Sequence, residues 1–272
     1  MNKIWMYWES KDGNIPKHIQ LCIDSVYKHK GNLEINFLNQ HNISDYLPNL
    51  RPEWHNLERP AHKADYIRTR LIYKYGGLWL DCDMVSLSDL TILFSIFPPN
   101  YDYACQNMNT SIGCFMARPG CQLLKKIIDA QDSELDNTNL DFQWNGIGNE
   151  LLAIHGKDYP YFRWKEWTLD EIAGGKISNL FSVNEEFETN VDKNAIIFHL
   201  CNENISPLLK IKLKESRLLL SNMLISKIFR RAFGLGDKNK FTFNVFFIDF
   251  LLDYNFYQYI KKNIQYYFLK SE

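Results

Sequence analysis

At 272 residues the chain suits one large domain or one and a half. With 46% hydrophobic and 15% aromatic residues it can fill a sizeable core, which excludes disorder for most of its length. Lys plus Arg total 31 against 32 for Asp plus Glu, a net charge of -1, so the basic excess of a general nucleic-acid binder is missing.

KIWMYW at 3–8 reads as a buried β-strand, and SKDGNIP supplies the loop after it. PKHIQLCIDSVYKH sets Ile19, Cys22, Ile23 and Val26 at helical spacing, and LEINFLN returns to strand. Strand, helix, strand in this order predicts an α/β nucleotide-binding unit on a parallel sheet. In RPAHKADYIRTRLIYKYGG, residues Ala61, Ala64, Leu71, Ile72 and Tyr75 share one helix face. Gly76 and Gly77 then stop the helix, because glycine accepts the left-handed C-cap at little cost. LWLDCD reads as a strand, as do YDYACQ and GCFMARP, and CQLLKKIIDAQ as a helix. NLFSVNEEF and NAIIFHLCN are short strands or loops.

From about residue 208 the chain turns basic and amphipathic (LLKIKLKESRLLLSNMLISKIFRRAFG), followed by the aromatic FNVFFIDFLLDYNFYQYI. Two readings fit: helices packed on the core, or a surface resting on lipid through Lys227, Arg230, Arg231 and nearby aromatics. No stretch reaches the ~20 apolar residues of a membrane span. The six cysteines (22, 82, 105, 114, 121 and 201) form no CxxC pair, and the opening MNKIWMYWES is not signal-like. They are expected to be reduced thiols in a cytoplasmic protein.

Four charges stand where apolar residues are expected. Asp65 and Arg68 fall on the core-facing side of their helix, where charge is costly unless paired or used. An intrahelical ion pair explains them equally well. Asp81 and Asp83 end an apolar run; two strand residues i and i+2 share a face about 6.6 Å apart. At the carboxyl end of a strand in an α/β sheet, such a pair can address one ligand, and hard oxygens suit Mg²⁺ or Mn²⁺. The EF-hand pattern fails at Val85 and Ser86. A helix N-cap at Asp83 leaves Asp81 unexplained, and a bare Asp-x-Asp is common by chance.

AHKADYIRTRLIYKYGGLWLDCDMVSL resembles the sugar-binding region of the Asp-x-Asp glycosyltransferases, which include capsule and lipopolysaccharide transferases, fungal mannosyltransferases and the large glucosylating toxins. The shared pattern is Asp-x-x-Arg on a helix, Tyr-Gly-Gly, a short strand and Asp-x-Asp, matched by Asp65, Arg68, Tyr75, Gly76, Gly77, Asp81 and Asp83. KIWMYWES and Pro16 resemble the capsule-synthesis branch. The resemblance covers roughly the first 90 residues and is weak beyond them.

This resemblance implies a GT-A fold, α/β and Rossmann-like, with a catalytic domain over 1–207 and a helical C-terminal region over 208–272. It implies that Asp83 ligates Mn²⁺ or Mg²⁺. Asp81 would reach the metal through water or bind ribose or sugar hydroxyls. Asp65 and Arg68 would hold hydroxyls of the donor sugar, and Trp8 would stack on the base. Trp5 and Trp79 are better read as packing. His199 matches a histidine near the metal and diphosphate, although NENISP stands where family members carry a tryptophan. QWNGIGNELL resembles a glycine motif beside the reacting face of the sugar, with Ile147 where the family has Pro. There Asn145, Asn149 and Glu150 are donor or acceptor contacts and Glu150 is the one carboxylate; a plain loop-to-helix junction explains the stretch too.

The implied activity is retaining transfer of a hexose or N-acetylhexosamine from a UDP-sugar to a saccharide or lipid-linked oligosaccharide, in capsule or O-antigen assembly at the inner membrane face. A non-catalytic sugar-nucleotide-binding protein and a nucleotidyltransferase remain as alternatives. No GxxxxGK[ST] phosphate loop supports the latter.

Overall fold

KIWMYW forms strand β1 (Lys3–Tyr7), buried throughout after Lys3. Both faces are covered, so the strand is continuously apolar and does not alternate. The computed structural model describes residues 2–10, 12–108, 112–136, 142–143, 146–166, 168–171, 174–213 and 215–235. The further strands are β2 (Glu34–Leu38), β3 (Gly77–Leu80), β4 (Met84–Ser86), β5 (Tyr103–Cys105), β6 (Cys114–Ala117), β7 (Phe162–Arg163), β8 (Leu169–Glu171) and β9 (Ile197–His199). The helices are α1 (Lys17–His29), α2 (Ile43–Tyr46), α3 (Pro60–Tyr75), α4 (Thr91–Ser95), α5 (Gln122–Leu135), α6 (Asn149–Gly156), α7 (Phe187–Asn190), α8 (Asn202–Lys212) and α9 (Leu224–Phe233). NLFSVNEEF, expected as strand or loop, closes a 3₁₀ turn (Gly174–Phe181), runs as loop over 182–186 and enters α7 at Phe187.

The main sheet has the order β2-β1-β3-β6-β5-β7. β1 runs parallel to β2 and to β3, as the N-terminal unit predicts. β6 is antiparallel to both β3 and β5, so the expected parallel sheet is a mixed one. The short segment 106–113 between β5 and β6 leaves no room for the crossover helix that parallel neighbours need. A second sheet, β4-β9-β8, stands beside the first.

Period-two alternation divides the core. Trp5, Tyr7, Trp79 and Phe115 pack with Ile67 and Leu71 of α3 and Leu124 and Ile127 of α5. Ile4, Met6, Leu78 and Met116 pack with Ile19, Ile23 and Val26 of α1. The joint between α3 and β3 is Tyr75-Gly76-Gly77: both glycines have positive φ (66° and 113°), and a Cβ on Gly77 would collide with the Lys3 carbonyl. Trp5 Nε1 donates to Gly76 O at 2.9 Å and its ring stacks on Tyr75 at 5.2 Å. This joint fixes α3 against β3 and so sets Asp65 and Arg68 against the end of that strand.

A third apolar cluster joins Leu21, Cys22, Val85 and Phe198 to Ile205, Ile225, Ile228 and Phe229. Phe229 is fully buried and Phe233 half-buried against the same cluster. Lys227 is buried, with Nζ donating to Glu185 O (2.7 Å) and Glu186 Oε2 (3.0 Å). Arg230 donates to Ser221 O at 2.6 Å. The apolar face of α9 thus packs on the core, with Phe233 half-buried and Arg231 exposed. The aromatic tail at 243–260 lies outside the described residues. Among the described residues no helix is long and apolar enough to cross a membrane.

Candidate active site

β3 stops at Leu80, and Asp81-Cys82-Asp83 forms the turn that leads from the main sheet into β4 of the second. Met84 N–H closes it on Asp81 O at 3.1 Å. The two carboxylates therefore do not share a strand face, and the i, i+2 spacing does not describe them. The cause is the change of partner: β3 pairs with β6, whereas β4 pairs with β9.

Asp81 turns toward α3. Its Oδ1 accepts from Trp79 Nε1 at 2.8 Å and lies 3.3 Å from Arg68 Nη2. Arg68 Nη2 is also 3.0 Å from Asp65 Oδ1, so the intrahelical pair exists but is shared. Arg68 is only 4% exposed; Nη1 donates to Ile112 O at 2.7 Å, and the guanidinium lies 5.3 Å from the Trp79 ring centre. One cation between a buried carboxylate and a half-buried one cannot neutralise both. Burial pushes Asp65 up to about 7 despite Arg68, with Asp81 adding to the rise. Burial likewise raises Asp81, again against the pull of Arg68.

Asp83 turns the other way. The β4–β9 register places Met84 opposite His199, and His199 Nε2 lies 3.3 Å from Asp83 Oδ2. The Asn202 amide donates to the same oxygen at 2.8 Å. Burial by itself raises Asp83, but His199 and the Asn202 amide outweigh it and hold the carboxyl below its usual range. Asp83 Oδ1 is buried with no hydrogen-bond partner. Such an orphan acceptor is costly unless something binds it.

These groups line one cleft of about 810 Å³, with Tyr7 at the end of β1, Trp8 and Glu9 after it, the first turns of α3, Ile112, Gly113, Asn149 and the segment from Cys201 to Asn204. The amino ends of α3, α6 and α8 all reach it (Pro60, Asn149, Asn202), and helix N-termini favour anions. Trp8 is half-buried on the cleft wall, whereas Trp5 and Trp79 are fully buried. Asn149 Oδ1 accepts from Ile112 N–H at 2.7 Å. Glu150, one residue further, is exposed and is not part of the lining, because the first turn of α6 points it away. Asn145 lies outside the described residues.

Several cleft residues escaped the sequence. Glu9 accepts from Tyr7 OH (2.7 Å) and Lys63 Nζ (2.9 Å). Cys201 takes φ 55°, a left-handed backbone, and its Sγ lies 3.5 Å from His199 Nδ1. Asn202 Oδ1 is 2.8 Å from Nε2 of His18, a buried residue of α1. Helix α8 was hidden because Pro207 interrupts its pattern.

Gly148 owes its identity to Asp65. A Cβ at 148 would stand 2.5–2.7 Å from the Asp65 carboxylate. Gly148→Ala is therefore expected to displace that carboxylate and lower turnover about a hundred-fold, the effect of an ångström-scale misplacement. Unchanged kcat in a folded variant would detach Gly148 from the site.

Among the described residues, no three His, Cys, Asp or Glu side chains sit close enough to hold a metal ion by themselves. Asp83, with its partnerless Oδ1, and His199 fit a divalent cation whose remaining positions come from substrate oxygens and water, the usual manner of Mg²⁺.

The cleft thus sets an Asp–Arg–Asp cluster and Asp83 on a mixed α/β fold. Residues 1–105 match the model of the family described as capsular polysaccharide synthesis protein. The match spans Trp8, Asp65, Arg68, Asp81 and Asp83 and bears out the resemblance to capsule transferases. No curated protein matches the chain in sequence. Similar solved structures include the galactosyltransferase LgtC in complex with donor and acceptor sugar analogs (12% identity, 78% of this chain and 96% of that one, TM-score 0.46). Others are the apo-form glycosyltransferase GlyE of Streptococcus pneumoniae TIGR4 (16%, 86% and 63%, 0.46) and a glycosyltransferase involved in glycosylation of the PBCV-1 major capsid (12%, 76% and 99%, 0.46). At TM-scores below 0.5 these likenesses lend the chain no residue roles.

Proposed function

We propose that the protein transfers a hexose or N-acetylhexosamine from a UDP-sugar to a saccharide or lipid-linked oligosaccharide, in capsule or O-antigen assembly, using Mn²⁺ or Mg²⁺. The observation that carries this reading is the partnerless Asp83 Oδ1, buried in a cleft that the Asp65–Arg68–Asp81 cluster also lines. Asp83 and His199 would hold the cation, with Asp81 near enough to assist through water. When bound, it supplies Lewis-acid stabilisation of charge on the leaving diphosphate. The positive dipole ends of α3 and α8, which reach the cleft, would favour the same anion. Arg68 donates to, and Asp65 accepts from, sugar hydroxyls, while Trp8 offers a ring face to the base. Retention of anomeric configuration and a place in the cytoplasm or at the inner membrane face rest on the family resemblance.

A panel of nucleotide sugars assayed for release of free nucleotide tests this. Release of UDP from a UDP-sugar with Mn²⁺, abolished by chelator, is the expected result. Tight binding of UDP-sugar without release would make the protein a sugar-nucleotide-binding protein, and diphosphate release from a nucleoside triphosphate would make it a nucleotidyltransferase.

A further inference from the structure

Gln131, on α5, is fully buried and does not touch the cleft, yet it holds two segments that do. Its Nε2 donates to Asp65 O at 3.0 Å and to Ile147 O at 2.8 Å. Its Oε1 accepts from Thr69 Oγ1 at 2.8 Å and from Arg70 Nη1 at 2.7 Å. Two donors and two acceptor positions are the full capacity of a carboxamide, and all are used. The two carbonyls it bridges belong to the backbones that meet at the Asp65 carboxylate: α3 at Asp65 itself, and the loop at Ile147 just before Gly148. Asn149, next along that loop, lines the cleft.

We infer that Gln131 is a positioning residue: it fixes the 146–149 loop against α3 and thereby sets the Asp65 carboxylate and Asn149 at a constant separation across the donor sugar. The inference rests on the proposed donor-sugar role of the cleft. A residue serving only stability would fill its space and satisfy buried groups anywhere in the core. This one joins the segment carrying a proposed sugar ligand to the loop that packs on that ligand. Loosening the bridge leaves the β1 end of the cleft, with Trp8, untouched.

The test uses the full chain carrying Gln131→Met, which keeps the length but removes the amide, and Gln131→Glu, which keeps the acceptors of Thr69 and Arg70 but not both donors. Both are expected to fold with a lowered Tm. For Gln131→Met, kcat for UDP release from the active UDP-sugar should fall about a hundred-fold. UDP affinity with Mn²⁺ should stay within about three-fold of the parent. Gln131→Glu should lie between the two. Hydrogen exchange should accelerate over 146–152 and not over β1 or β3. A folded Gln131→Met with kcat within three-fold of the parent overturns the inference. So does a parallel loss of kcat, UDP affinity and protection in every element, which marks general loosening. If the parent protein releases UDP from no donor, the reading of the cleft fails on the parent alone. Unchanged protection over 146–152 in Gln131→Met then overturns the bridge itself.

Discussion

Asp83→Asn is expected to abolish metal-dependent turnover while the protein stays folded. The substitution keeps the shape of the side chain and an oxygen for the Asn202 amide, but removes the charge that a divalent cation requires. Lewis-acid stabilisation is worth several kcal/mol, so kcat should fall about a thousand-fold or more, at 1.36 kcal/mol per tenfold. The cost to stability is smaller. A carboxyl held below its unfolded pKa contributes stability above that pKa, and the contribution is lost as pH falls through the folded value. At neutral pH the variant therefore forgoes the His199 pairing, and its Tm drops by a few degrees. Its signature is the loss of a ligand effect: Mn²⁺ with UDP at about 100 times Kd should stabilise the parent by roughly 2.7 kcal/mol and the variant hardly at all. An equal Mn²⁺-dependent Tm rise in both proteins would take Asp83 out of the metal site.

Much of the N-terminal half was legible because its signals are local. The apolar faces of α1 and α3 recur at helical spacing, and β1 and β3 are buried on both sides. Gly76 ends α3 with the expected positive φ. The failure at Asp81–Asp83 has a physical cause: LWLDCD reads as one strand because Leu78, Trp79 and Leu80 run straight into the acids. Nothing in the stretch announces that Met84 will pair with His199, 115 positions away. The start of α6 at Asn149 follows from the loop-to-helix junction, but the pressure of Gly148 on Asp65 is a tertiary fact. Gln131 is only the last residue of the helical run CQLLKKIIDAQ; its burial depends on the approach of α3 and the 147 carbonyl. For α9 the sequence offered two surfaces to the same apolar face; the cluster it joins is assembled from α1, β4 and β9, which lie far away in the chain.

Asp65→Asn should have opposite effects on activity and stability. Turnover should fall at least a hundred-fold, since a carboxylate that accepts from sugar hydroxyls becomes an amide with half its acceptors. Stability at pH 8 should rise. Asp65 is 7% exposed, and burial holds its carboxyl at about 7, well above the roughly 3.9 of an unfolded aspartate. Between those values the folded protein binds the proton and the unfolded chain does not, so stability declines as pH rises and the whole penalty is present above pH 7. The penalty is on the order of a few kcal/mol, at 1.36 kcal/mol per unit of pKa. Asparagine removes the charge and keeps the shape, so Tm at pH 8 should exceed that of the parent by several degrees, at about 2–4 °C per kcal/mol. The gap should narrow from pH 7 downward and close near pH 4, which thermal scans at three or four pH values would read directly. A variant less stable than the parent at pH 8 would mean that Arg68 fully compensates the Asp65 charge in the empty cleft. A stabilised variant with undiminished turnover would show that the charge is tolerated for some purpose other than the sugar.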